Sequence, residues 1–214
     1  SVLSEDMAGK INATLTASGR GSDLAGDLQA QLQDARSRDG PRDAAIDGTL
    51  KASLRGDRLA VDAAATNDKG LKSTASIVLP AEASAAPFRI AVNRRRPMQG
   101  RFEVDGELQP IWDLFFGGDR TLGGRLVAQG TVGGTLADPR LSGQAALTNG
   151  KFEDYATGLK LREVTINAAL DTNAVTVSQF SARASSGGSL NGDGRVILSR
   201  GGASKFSLTA ADFL

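Results

Sequence analysis

Residues 130–152 read GTVGGTLADPRLSGQAALTNGKF. Every second residue gives Gly130, Val132, Gly134 and Leu136, and then, past Asp138-Pro139, Leu141, Gly143, Ala145 and Leu147. Thr131, Gly133 and Thr135 lie between the first set, and Ser142, Gln144 and Ala146 between the second. This is strand alternation, with one apolar face and one mostly polar face, and a turn is expected at Asp138-Pro139. Glycine inside a strand is costly and marks a bend or a close approach. Here it recurs on the apolar face itself.

The same texture extends in both directions. Towards the N-terminus, Ile11/Ala13/Leu15/Ala17, Leu24/Gly26/Leu28/Ala30/Leu32 and Ile46/Gly48/Leu50/Ala52/Leu54 each share a face. RGDR at 55–58 and NDKG at 67–70 read as tight turns into Leu59/Val61/Ala63/Ala65 and Leu71/Ser73/Ala75/Ile77/Leu79. The polar run 33–43 and the proline-bounded PAEASAAP at 80–87 read as loops. Phe88/Ile90/Val92 and Phe102/Val104/Gly106/Leu108 form further strands around NRRRPMQG. PIWDLFF departs from period two and predicts a short helix started near Pro110. Beyond residue 150, Leu159/Leu161 and Val164/Ile166/Ala168/Leu170 differ in parity, so a β-bulge is expected near Glu163. Val175/Val177, Phe180, Ala182/Ala184, Leu190/Gly192/Gly194/Val196 and Phe206/Leu208/Ala210 complete about a dozen strands.

Composition narrows the function. Twenty-five basic and 24 acidic residues leave a net charge of +1 in 214 residues, which gives no electrostatic case for nucleic acid. The chain has no histidine and no cysteine. A Ser-His-Asp or Cys-His arrangement and a zinc site of the usual ligands are therefore excluded. Glu103, Asp105, Asp138, Glu153 and Asp154 are the carboxylates available for paired acid–base work. Glu103 and Asp105, two apart on the polar face of their strand, read as a solvated face. GGDRTLGG lacks the lysine of a phosphate-binding loop. Neither an enzyme nor a cofactor is expected. Aromatics make up only 5% of a chain with 26 glycines, which suits a thin, open apolar layer better than a filled sandwich. Ile111 to Phe116 is far short of the roughly 20 apolar residues of a membrane helix. The chain opens on SVLSEDMAGK and closes on TAADFL without clear caps, so it reads as one β-rich segment, 1–214, of something longer, with any membrane anchor outside it.

The stretch GTVGGTLADPRLSGQAALTNGKFEDYATGLKLREVTINAAL resembles the signature of TamB-type proteins, of the AsmA-like group. There, G-x-L-x-G-x-L-x-x-P is followed by x-L-x-G-x-x-x-L-x-x-G-x-F and then a further glycine. Gly130, Gly134, Leu136, Pro139, Leu141, Gly143, Leu147, Gly150, Phe152 and Gly158 stand in those places. The specific match covers about 123–170, and the remainder is similar in texture. The resemblance implies a fragment of a Gram-negative protein that is anchored in the inner membrane and spans the periplasm. It implies an elongated, strongly curved antiparallel sheet folded into an open, taco-like hydrophobic groove. It also implies a place in the translocation and assembly module beside TamA, an Omp85-type outer-membrane barrel, with roles in phospholipid transport to the outer membrane and in assembly and secretion of outer-membrane proteins.

Three readings follow. In the first the chain is a length of lipid conduit. Its candidate acyl-chain contacts are Leu126, Val132, Leu136, Leu141, Leu147, Val164, Ile166, Leu170 and Val196. Gly106, Gly130, Gly134, Gly143, Gly192 and Gly194 would set its curvature and leave room inside. In the second, the chain is an assembly scaffold or chaperone that adds a strand to a nascent outer-membrane protein. In the third it is a closed β-sandwich. Trp112, Phe115 and Phe116 read as a plug over one end of the sheet or as a movable gate. Arg94-Arg95-Arg96 reads as a solvated loop or a contact for anionic headgroups or an acidic partner. Cut sheet ends are expected to self-associate through unpaired backbone.

Overall fold

The computed structural model describes residues 7–37, 45–115, 118–172, 174–197 and 203–212. Thirteen strands and one short helix follow one another: β1 (Met7–Arg20), β2 (Asp23–Ser37), β3 (Ile46–Arg55), β4 (Arg58–Thr66), β5 (Lys72–Ala85), β6 (Phe88–Val92), β7 (Gln99–Glu107), α1 (Gln109–Phe115), β8 (Arg120–Gly134), β9 (Pro139–Asp154), β10 (Leu159–Thr172), β11 (Ala174–Ala184), β12 (Ser189–Ile197) and β13 (Lys205–Ala211). They form one sheet in the order β1-β2-β3-β4-β5-β7-β8-β9-β10-β11-β12-β13, with β6 off the path and paired to β5. The sheet does not close on itself, and β1 and β13 are its two edges. The closed sandwich is therefore set aside.

Register carries the alternation from strand to strand. One row runs Ala13, Ala30, Leu50, Ala63, Ala75, Phe102, Gly130, Gly143, Leu170, Val175, Val196. Each of these residues is paired across the ladder with the next. Directly opposed residues share a face, so the apolar residues form one continuous surface. The other face carries cross-strand polar partners such as Lys51 with Asp62, Lys72 with Asp105, and Gln129 with Gln144.

Bulges keep the apolar face in phase where the sequence changes parity. Glu163 takes φ 53° and the β9–β10 register slips between Leu161 and Val164. Leu161 and Val164 thus point the same way and join one buried cluster, with the bulge where it was expected. A second bulge at Ser178 places Phe180 beside Val177 on the same face. A third stands where Gly124 (φ +124°) lies against Gly150, whose Cα would be 2.7 Å from any added Cβ.

Strand reaches into both expected loops. β2 continues to Ser37, residues 38–43 of the first lying outside the described residues, and β5 runs through PAEASA to Ala85. Pro80 is the last partner of β4, opposite Arg58, where β4 itself begins. Beyond it the chain bends away and lies across the neighbouring turns. Ala81 donates its N–H to Asp57 O (2.8 Å), and Ala85 and Ala86 donate to Gly21 O (3.0 and 2.9 Å). Beneath this flap Leu24, Leu54 and Ala81 form a small core, with Leu59, Ala83 and Ala85 around it.

At the opposite rim α1 follows β7, with Pro110 in its first turn as expected. The helix touches both β8 and β2. In a flat sheet those strands would stand about 24 Å apart, five spacings of ~4.8 Å. A helix of this length is only about 10 Å long. The sheet is therefore strongly coiled.

Candidate functional site

The main core gathers at the α1 rim. Leu147, Leu161, Val164, Ala182 and Ala184 are buried together, with Leu108, Leu122, Leu126, Phe152, Ile166, Phe180 and Leu190 packed against them. Of the sequence candidates, this brings Leu126, Leu147, Val164 and Ile166 into one place. Leu147 and Val164 are only 4% and 2% exposed, so they hold the core and offer no free surface. Val132 and Leu141 oppose each other further along, with Gly100 on the far side of Val132. Leu170 and Val196 lie in the long apolar row, separated by Val175. Leu136 does not belong to the face at all. β8 ends at Gly134, and Leu136 lies in the turn closed by Asp138 N–H to Thr135 O and by Thr135 N–H to Asp138 O, both 3.1 Å.

The glycines do something other than leave space. An added Cβ at Gly130 would lie 2.8 Å from Phe102 Cζ and 2.5 Å from Ser142 O. At Gly194 it would meet the Phe206 ring, and at Gly192 the Leu208 side chain. In each case the large cross-strand neighbour lies down over the glycine, as aromatic residues do over strand glycines. The room is filled, and the face is a low, even apolar layer. Gly143 faces Gly130 directly, while Gly106 is where the β4–β5 turn comes in against the strand, Leu71 Cα lying 2.4 Å from where a Cβ would stand. Gly134 serves the turn: φ +72° is left-handed, and an added Cβ would meet Asp138 O.

The face is broader than the candidate list. Leu28, Leu50, Val61, Ile77 and Phe102 carry it across β2, β3, β4, β5 and β7. The alternation in those strands was itself the signal for them. At the two edges Ile11, Leu15, Phe206 and Leu208 are exposed. Among the described residues only the β5 flap, over Leu24 and Leu54, and α1 at the opposite rim are laid against the sheet from distant strands.

Trp112 lies on α1, beside the start of β8. Its backbone N–H bonds Leu108 O and its indole N–H donates to Arg120 O, both at 3.0 Å. Phe115 closes the helix, and Phe116 lies outside the described residues. On the same helix Asp113 is held above its ordinary carboxylate range by burial, opposed by a hydrogen bond from Gln109.

Of the carboxylates weighed for chemistry, Asp154, Asp105 and Glu153 are paired with basic side chains. Asp154 accepts from the N–H groups of Ala156 and Thr157 (3.0 Å each) and pairs with Arg120 at 3.0 Å. The Thr157 N–H, and after it Arg120, hold its pKa low against the opposing effect of burial. Asp105 pairs with Arg125 at 2.7 Å. Glu107 accepts from the N–H of Gly124. Glu153 lies 3.7 Å from Lys160. Among the described residues no group of three or more His, Cys, Asp or Glu side chains is placed to hold a metal ion. A hollow of about 1090 Å³ across β11–β13 is lined by Thr176, Gln179, Asp193, Arg195 and Lys205 beside Phe180 and Phe206. That mixed polar lining suits water better than an acyl chain. Among the described residues no helix is long and apolar enough to cross a membrane. Comparison with known proteins identifies no matching family model, no matching curated protein and no matching solved structure.

Proposed function

We propose that this chain is a length of lipid conduit in which phospholipid acyl chains lie along the apolar face while headgroups stay at its open side. The observation that carries this reading is the unbroken apolar register from Ala13 on β1 to Val196 on β12, running between the flap at one rim and α1 at the other. A surface this long and this free of polar anchors suits a ligand that slides and has no fixed pose. It matches what the TamB-type resemblance implies. On that reading the chain works in the periplasm as part of an inner-membrane-anchored protein, beside an Omp85-type barrel, and serves outer-membrane assembly without catalysing a reaction or binding a cofactor.

Two unpaired edge strands favour a second reading, strand addition to a nascent outer-membrane protein. One experiment separates the two. A photo-crosslinking residue is placed at Ala145, mid-face between Ala128 and Ala168, with Gln144 on the opposite face as control. Ala145 is preferred to Ile166, which packs against the core. After irradiation in cells, phospholipid attached at Ala145 and not at Gln144 is the expected result. Protein adducts at the edge strands, with no lipid at either position, would replace the conduit by the scaffold.

A further inference from the structure

We infer that the hairpin formed by the end of β5 and β6 docks the molecule on an anionic membrane surface. This goes beyond the conduit reading and does not depend on it, because it concerns a bilayer met by a rim and not single lipids held on the face. β6 is the one named strand off the sheet path, and β5 is its partner. Phe88 opposes Ala85, and Ile90 opposes Ala83. The alanines pack on the Leu24–Leu54 core. Phe88 and Ile90, on the same face, overhang the rim and remain 71% and 52% exposed. Two adjacent apolar side chains held out on an anchored hairpin are unlike scattered surface leucines.

Charge completes the surface. Arg89 alternates with the apolar pair, and Arg94, Arg95 and Arg96 follow directly. Their loop is fixed: Asn93 Oδ1 accepts from the N–H groups of Arg95 (3.0 Å) and Arg96 (3.2 Å), and Arg94 O accepts from Ala137 N–H (3.1 Å). The nearby acids are engaged, Glu82 at 3.7 Å from Arg89 and Asp57 at 2.7 Å from Arg96. Apolar tips flanked by arginines suit the boundary between acyl chains and phosphates, where the rings sink and the guanidiniums hold phosphate oxygens. An acidic protein would need about 800 Å² of matching surface, and the five residues of β6 with their β5 partners are a short, narrow platform.

The test is co-sedimentation of the chain with phosphatidylcholine vesicles, with and without phosphatidylglycerol. Binding is expected only with the anionic lipid, and it should weaken with salt. Phe88→Asp should abolish it, as should Ile90→Asp. Both sites are exposed, so circular dichroism should show an unchanged fold. Arg94→Gln with Arg95→Gln should weaken binding about 25-fold, roughly fivefold for each charge. Ile11→Asp, equally exposed but on β1, should change nothing. Absence of binding to anionic vesicles would overturn the proposal. So would loss of binding in Ile11→Asp but not in Phe88→Asp, which would assign the lipid to the apolar face. Polyglutamate bound as tightly as vesicles, with no dependence on Phe88, would replace the membrane by an acidic protein.

Discussion

Gly130 shows how a single residue sets the thickness of this sheet. Its missing side chain is replaced by the Phe102 ring, and the added atom of an alanine would also press on Ser142 O. Gly130→Ala should therefore destabilise the chain by about 1–3 kcal/mol, as overpacking does, read from a denaturant midpoint. Asp113 works in the opposite direction. Burial raises its folded pKa above the ordinary 3.8, so the native state prefers the protonated carboxyl. The carboxylate costs stability above the folded pKa, and that cost disappears as pH falls below the unfolded value. Asp113→Asn should raise the melting temperature at pH 7 and leave it unchanged near pH 3. A gain that persists at low pH would point to a cause other than ionisation. The glycines were legible in the sequence as members of the apolar face, but their large neighbours were not. Which side chain lies over a glycine depends on cross-strand register, and alternation within one strand carries no information about its partner.

At the scale of elements, the bulges decide whether the face stays continuous. The parity change between Leu161 and Val164 exposed the bulge at Glu163 in the sequence, because only an extra residue can keep both on one side. Deleting Glu163 should turn Val164, Ile166, Ala168 and Leu170 towards water or push Leu159 and Leu161 out. Either route empties the main core, and no cooperative unfolding transition is expected for the Glu163 deletion. Leu147→Ala is a milder probe of the same cluster. It should cost about 2–5 kcal/mol, the usual range for a buried leucine. The strand count, the helix at 109–115 and the tight turns at 56–57 and 67–70 were also legible, from periodicity and turn residues. The flap was not. PAEASAAP has the composition of a loop; its strand character comes from pairing with the short β6, and its position over the neighbouring turns from backbone partners at Asp57 and Gly21 far along the chain. Leu136 was misplaced for a related reason. Alternation continued on paper through a residue that Gly134, by turning left-handed, had already taken out of the strand.

Among the described residues the sheet has one apolar face and two margins with no further strand paired to them. β1 is a margin of 14 residues, and Ile11 and Leu15 stand exposed on its apolar side. Such an edge invites pairing. Light scattering should show association that grows with concentration, and Leu15→Lys should suppress it without altering the melting temperature. Unchanged association in Leu15→Lys would move the contact to β13 or to the face.

A meander in which each strand bonds its neighbours in sequence has a further property. Its breadth is set by the number of hairpins, about 10 Å for each pair of strands. From β1 to β8 that number is fixed, because the flap joins β5 to β2 and α1 bridges β8 to β2. A hairpin duplicated there would tear both ties. From β9 to β13 no flap or helix of that kind bridges distant strands among the described elements, although β9, β10 and β11 share the main core. Gene-level duplication of a hairpin beyond that core, at β12–β13, would lengthen the molecule by a set increment and leave the rest of the ladder in register. The first half is a fixed head, and the end beyond the main core is a ruler that evolution can extend.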